Sequence, residues 1–553
     1  MGMTTRIQDA EGMTINKQQI RPITVNQLGY APNGSKIAVF TGSGGAFEIM
    51  DTLTGNTVFQ GETGAARFDV SSGSTLAQGD FSSLTAPGRY RIKLASGETS
   101  GEFAITEQPY EPLLRGLLKG FYYYRCGTEL TATFAGPWAH KACHLDDGYV
   151  HGEPKRWLTS CGGWHDAGDY GKYMVAAAKA VADLLLAYEL NPAAFAAPTH
   201  LPETDGQVPD VLHECRWELN FVLKLQDPHS GGVFHKLTTQ HFPPLDLLPE
   251  ADHAPLCFSP VSATATASFA AVLAMASRIY RPYDSGFADR CLAAAVRAWN
   301  WLLAHPQEPD FTNPADVSTG EYGDNEDADE RYWAAAELYR TTGEAGYYTA
   351  LQTLAAQDFP KYSLGWADTG GYGTLACLLL PQDKLDAAWR AELLAGWLAE
   401  ADKLVQRCEI DGYRISLTPD DYIWGSNMVV MNNAMLLLLA HHFSGEGIYR
   451  AAALEHVHYL MGRNALDISY VSGFGDHPVC HMHYRPSVAV GLDTAPGLVS
   501  GGPNAGLHDE YAKAHLQGQA PARCYVDHVD SYATNEVTIY WNSPAVFAVA
   551  MFV

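Results

Sequence analysis

The chain is short of charge. Asp, Glu, Lys and Arg make up 18% of its 553 residues, and acids outnumber bases 62 to 36. A net charge of −26 excludes a basic face that would grip phosphate backbones or anionic lipid, so neither nucleic acid nor a membrane is expected as a partner. No apolar run has the length of a bilayer span. Cysteine is sparse and irregularly placed: ten residues exclude a disulfide scaffold. No repeat with a period of roughly 20–50 residues is visible, and no Pro/Thr/Ser-rich linker interrupts the chain. Residues 1–20 are polar and carry no apolar core, so no signal peptide is read there. They are expected to be disordered or an expression remnant, and the protein to be cytoplasmic or secreted with its signal removed.

What the chain has is apolar mass, 47% of residues, and too much length for one ordinary domain. Two textures divide it. Residues 21–107 hold short alternating runs, such as Lys36 to Phe40 and Arg89 to Leu94, broken by Gly, Asn, Ser and Pro. That spacing predicts a small antiparallel β-sandwich. From residue 108 to 553 the periodicity turns helical. The segments run Pro112–Tyr124, Lys172–Leu190, His213–Leu225, Ala263–Tyr280, Phe287–Ala304, Glu330–Arg340, Asp383–Gln406, Asn427–His441 and Tyr449–Leu460. Many are apolar all round, as inner helices are. About a dozen helices without strand-rich stretches between them fit an all-α, α/α-barrel domain.

Two stretches carry chemistry. Residues 161–173 read Cys-Gly-Gly-Trp-His-Asp-Ala-Gly-Asp-Tyr-Gly-Lys-Tyr, a glycine-rich turn with Asp166 and Asp169 three apart, just before an Ala/Leu/Val-rich helix. Such a pair caps a helix or stands at the rim of a cleft. Trp164 and Tyr170 beside it point to a gripped sugar face. Residues 530–544 set Glu536 among Tyr532, Val537, Ile539 and Trp541, an apolar setting that raises a carboxyl pKa.

Together the two stretches resemble the signatures of glycoside hydrolase family 9, the inverting cellulases. The resemblance covers most of the chain. It implies the six-hairpin (α/α)6 barrel. The opening Val25-Asn26-Gln27-Leu28-Gly29-Tyr30 resembles the immunoglobulin-like module that precedes many of its catalytic domains. It implies Asp169 as general base, Asp166 as holder of the water and Glu536 as general acid. His483 and Arg485 match the family's sugar-binding His-His-Arg segment, in which Tyr484 here replaces the middle His. Gly501-Gly502-Pro503-Asn504 is similar to a loop near the same cleft. Trp424 matches a stacking aromatic, with Tyr532 and Trp541 as further wall residues.

Metals follow. Cys126, Cys143, His144 and His165 form a two-sulfur, two-nitrogen set, although not at zinc-finger spacing. The resemblance to members with an immunoglobulin-like module implies one structural zinc there, with Cys161 as rival fourth ligand. The acidic run 319–330 has hard oxygen donors suited to Ca²⁺, and the resemblance implies Asp329 and Glu330, with Asp324 and the more distant Asp368, as a structural calcium site. The expected activity is inverting cleavage of β-1,4-linked glucan, endoglucanase-like, by a monomer. Its alternatives are an exo-acting β-glucosaminidase or β-glucosidase on chitosan or cello-oligosaccharides and, remotely, a non-catalytic carbohydrate-binding protein.

Overall fold

The computed structural model describes residues 20–553. The expectation for residues 1–20 therefore lies outside the described residues, Ile20 apart. Eight strands come first: β1 Ile23–Thr24, β2 Ile37–Thr41, β3 Ala46–Asp51, β4 Thr57–Glu62, β5 Arg67–Asp69, β6 Ser74–Asp80, β7 Gly88–Leu94 and β8 Phe103–Ile105. They make two four-stranded sheets, ordered β1-β2-β6-β5 and β4-β3-β7-β8, with every pair antiparallel. In β7, Tyr90 and Ile92 turn inward while Arg89, Arg91 and Lys93 face water, the period-2 pattern of a half-buried strand. Tyr30 fills the sandwich core edge-on to Phe81 and Phe103.

Twelve helices of nine residues or more follow: α1 Glu111–Tyr123, α2 Met174–Leu190, α3 Asp210–Val222, α4 Ala263–Tyr280, α5 Ser285–Ala304, α6 Ala328–Thr342, α7 Ala345–Ala355, α8 Gly370–Leu378, α9 Ala387–Ile410, α10 Ser426–Ser444, α11 Gly447–Leu460 and α12 Ile539–Ala550. The even-numbered helices form the inner ring. α12 packs on α2, α2 on α4, α4 on α6, α6 on α8, and α10 on α12. Every residue of α12, and every residue of α4 but Arg278, is buried. The outer α9 buries one stripe, Leu393, Trp397, Ala401, Leu404 and Cys408, at helical spacing. Inside the ring, Lys179 pairs with Asp183 one turn along α2 at 2.6 Å. Tyr372 of α8 and Ser543 of α12 donate to the same carboxylate at 2.6 and 2.7 Å. One buried charge pair thus pins three helices in register.

The structure corrects one expectation. The helical domain is not free of strands: Gly148–Val150, Glu153–Leu158, Lys172–Tyr173, Lys236–Thr238 and Cys257–Phe258 form a five-stranded sheet. Four of the five have two or three residues, too short to show a period in sequence, and Glu153–Leu158 has no residue fully buried. This sheet holds the turn that carries Asp166 and Asp169. The sandwich docks on the barrel through the backbone and side chain of Gln27. Its N–H donates to the Met461 carbonyl at 2.9 Å, and its Oε1 accepts from the Asp476 and His477 N–H groups at 3.0 and 2.8 Å. Arg21 pairs with Asp467 and Asp476 beside it.

Candidate active site

The turn before α2 is fixed by backbone. Gly162 and Gly163 take φ of 102° and 79°, open to glycine at no cost. A side chain at Gly168 would put its Cβ 1.9 Å from the His483 carbonyl oxygen, so two chain segments meet there as only glycine allows. Asp166 donates its N–H to Gly171 O at 2.8 Å and accepts at its own carbonyl from Ile539 N–H at 2.8 Å. Neither aspartate caps α2. The residue before that helix is Tyr173, without a side-chain cap, so the carboxyls are free for other work.

On the other side, His483 and Glu536 are bridged in parallel, and Ala167 is bridged to Thr538. The Thr538 hydroxyl caps α12 by accepting from Trp541 N–H at 3.1 Å, which fixes the chain two residues after Glu536. The cleft so made encloses about 790 Å³. Asp166, Asp169, Glu536, His483, Arg485, Trp424, Tyr532 and Trp541 all line it. Trp424 and Tyr532 are 41% and 37% exposed, with ring centroids 5.5 Å apart, an open aromatic ledge. Trp541 is buried and forms the wall behind. The aromatics flanking the two aspartates in sequence do not grip a sugar. Trp164 is buried and donates to Glu214 at 2.9 Å, and Tyr170 donates to the Leu247 carbonyl at 2.6 Å. Neither lines the cleft.

Tyr322 is a cleft residue, bonded to Asp166, that sequence reasoning missed. Its hydroxyl donates to Asp166 Oδ2 at 2.6 Å and meets Tyr540 OH at 3.2 Å. It lies in the acidic loop read for calcium, at an unusual φ of 51°. Gly320 and Gly323 beside it were the available signal. Asp166 Oδ1 is buried without any partner. Trp366, Tyr173 and Phe242 also line the cleft unforeseen. Arg485 spends its guanidinium on carbonyls, Gly168 O at 2.8 Å and Pro243 O at 3.1 and 3.0 Å. His483 Nδ1 donates to Val529 O at 2.6 Å, which leaves Nε2 as the free nitrogen.

Burial governs the proton affinities. It pushes the Asp166 carboxyl well above its ordinary value, against the Tyr322 hydrogen bond. It raises Asp169 too, opposed by the Arg485 charge and the Gly171 N–H. Glu536 is driven well up by burial and then by the Asp169 charge. Burial lowers His483 to about 4, so its ring is neutral at pH 7.

Beneath the turn, one donor atom each from Cys126, Cys143, His144 and His165 lie within 4.8 Å of one another. Two thiols and two imidazoles at that range fit a closed tetrahedral zinc site. Cys161 is outside the set; its thiol turns to the Gly127 carbonyl at 3.6 Å. His144 Nε2 lies 3.5 Å from Asp252, the carboxylate that orients a metal-binding histidine. The acidic four are looser and are not such a cluster among the described residues. They still leave Asp324 Oδ2, Asp329 Oδ1 and both Glu330 oxygens buried without partners. Buried, unpaired carboxylate oxygens call for a cation. Burial raises Asp324 to about 6, and burial followed by the Asp329 charge raises Glu330 and Asp368.

Buried carboxyls in an aromatic-walled cleft, on a barrel of paired helices, define a glycoside hydrolase. Sequence and structure comparisons narrow this. The profile of glycosyl hydrolase family 9 matches residues 110–549, and that of the cellulase N-terminal ig-like domain matches residues 18–99. The chain is 38% identical over 550 residues to a cellodextrinase of Butyrivibrio fibrisolvens, covering 96% of this chain and 99% of that one. A thermostable endoglucanase of Alicyclobacillus acidocaldarius, solved as a single mutant, superposes with a TM-score of 0.90 at 43% identity, covering 96% and 99%. A zinc-binding triple mutant of the family 9 endoglucanase J30 superposes at 0.88 with 32% identity, covering 94% and 99%. The chain belongs to glycosyl hydrolase family 9.

Proposed function

We propose that the protein cleaves β-1,4-linked glucan chains or oligosaccharides of the cellulose type with inversion, residues 108–553 forming the catalytic domain and 21–107 a supporting module. The observation that carries this reading is the cleft itself: two buried aspartates, the half-buried Glu536 and an exposed aromatic ledge share one cavity. Asp169 is the general base and Glu536 the general acid. Asp166, with Tyr322 on Oδ2 and a buried, unpartnered Oδ1, orients the attacking water. Burial and then the Asp169 charge keep Glu536 protonated and ready to donate to the leaving oxygen, while Asp169, raised less, gives up its proton first. His483 presents Nε2 to a sugar hydroxyl. Trp424 and Tyr532 stack on sugar faces.

Cys126, Cys143, His144 and His165 hold zinc, which ties the end of α1 to the catalytic turn. Asp324, Asp329, Glu330 and Asp368 hold calcium, which draws together the loops that carry Tyr322 and Trp366. The protein acts as a monomer, to be checked by light scattering. The stereochemistry tests the mechanism. Proton NMR on cellohexaose, faster than mutarotation, should show the α-anomer first, because water attacks opposite the leaving group. A β-anomer first would sink the inverting assignment. Chromatography of products from cellohexaose and chitosan hexamer decides the remainder. Mixed glucose oligomers mean endo action, and monomers from chitosan alone mean an exo-glucosaminidase.

A further inference from the structure

A buried ammonium needs a counter-charge. Lys236 is fully buried, yet among the described residues no carboxylate forms an ion pair with it. Its Nζ donates only to neutral oxygens: Gly320 O at 2.6 Å, Thr319 Oγ1 at 3.0 Å and Thr319 O at 3.3 Å. Asp169 has the opposite shortage. It is a buried carboxylate with no ion pair of its own, accepting from the Gly171 N–H at 3.3 Å.

The fold sets these two groups beside one ring. Lys236 faces Tyr173 in the antiparallel ladder, and its Nζ lies 5.5 Å from the centre of the Tyr173 ring. The edge and hydroxyl of that phenol come near Asp169 at Gly171. A Cβ built at Gly171 would stand 2.8 Å from the Tyr173 ring and hydroxyl and 3.0 Å from Asp169 Oδ2. A Cβ at Gly320, whose carbonyl holds the ammonium, would stand 3.3 Å from the same hydroxyl. One buried phenol is thus a neighbour that cation and anion share. Between buried groups a charge is screened less than in water.

We propose that Lys236 is an electrostatic positioning residue, the buried cation whose counter-ion is the general base Asp169, acting beside the Tyr173 ring that both adjoin to hold that carboxylate anionic while Glu536 keeps its proton. This rests on Asp169 being the base. The other charges around the pair are accounted for. Arg485 pulls down both Asp169 and Glu536 and so does not separate them. Lys236 pulls on Asp169. Burial lowers Lys236 to about 8; Asp169 leads the groups that resist this, followed by Glu321 and Cys257. The neighbouring His235 is neutral at working pH, lowered to about 3 by burial. Asp166 and Glu536 are held up by burial. Below pH 8 Lys236 is therefore the standing positive charge on the Asp169 side alone.

The test is the pH dependence of kcat/KM for wild type, K236M, K236R and D169N on cellohexaose, with thermal melting to verify folding. Loss of the ammonium should move the acidic limb up by about one pH unit and leave the basic limb in place. K236R should restore the wild-type acidic limb. K236Q replaces K236M if methionine unfolds the small sheet. A folded neutral variant with an unmoved acidic limb overturns the proposal whatever its turnover, because loss of mere scaffolding lowers the whole profile without shifting one side. Equal movement of both limbs overturns it as well. D169N with near wild-type turnover would instead remove Asp169 as base, a different failure that these profiles distinguish.

Discussion

At the scale of residues, catalysis depends on which carboxyl gives up its proton first. Asp169 is raised by burial, so with Asp169 as the proposed base activity should be lost as pH falls through its raised pKa. Glu536 is raised well above the usual carboxylate range, so with Glu536 as the proposed acid activity should be lost as pH rises through that value. A bell-shaped kcat/KM profile is expected, with its acidic limb assigned to Asp169 and its basic limb to Glu536. D169N and E536Q should fold, with unchanged melting, and lose roughly three orders of magnitude in turnover; a tenth of wild-type turnover in either removes that residue from its role. Tyr322→Phe deletes the hydroxyl that donates to Asp166 Oδ2 and leaves that buried acceptor without its partner, a cost of about 1–3 kcal/mol. Steady-state kinetics should show a roughly ten- to hundredfold fall in kcat with KM little changed. The cleft carboxyls and ledge aromatics were legible because they sit in contiguous motifs. Tyr322 was not, because its partner Asp166 lies 156 residues away and nothing local marks a phenol as aimed at a carboxylate. Trp164 misled for the converse reason: adjacency along a turn says nothing about which side of it a ring occupies.

At the scale of elements, long apolar helices were plain, and α4 begins and ends where its periodicity does. Three were missed. α7 sits in a stretch with no strong apolar stripe, with Tyr347 and Leu351 as its buried residues. α8 opens on Gly370 and Gly371 and holds Gly373, each costing about 1 kcal/mol of helix propensity. α12 contains Pro544, which breaks helices in isolation. In α8 and α12 burial on all sides overrides these costs, and only packing within the ring supplies it. The Cys/His cluster works at the same scale. Cys126 follows α1 and His165 enters the catalytic turn, so a bound zinc staples one to the other. Elemental analysis after dialysis should find about one zinc per chain. Cys126→Ser should lose it and melt at lower temperature, while the turnover of still-folded enzyme falls less. Wild type free of zinc, with Cys126 and Cys143 readily alkylated when native, would dismiss the site.

At the scale of the molecule, the sandwich braces the segment 461–477 that leads to His483 and Arg485. Gln27→Ala takes the acceptor from the part-buried Asp476 and His477 N–H groups, a loss of about 0.5–1.5 kcal/mol per hydrogen bond. Calorimetry should show a lower melting temperature. KM should rise more than kcat falls if the brace also steadies the sugar-binding segment, and an unchanged melting temperature would mean that the docking is incidental. The order of the chain carries one further consequence. Asp166 and Asp169 lie in the first third of the sequence, whereas Glu536 and α12 lie in its last eighteen residues. α12 closes the ring between α10 and α2. Until residues 536–550 are made, the chain has five inner helices and lacks Glu536, with an open apolar seam where the sixth helix belongs, and it can neither seal its core nor bring its three cleft carboxyls together. Termination between α10 and Glu536 should yield an aggregation-prone barrel with an incomplete cleft.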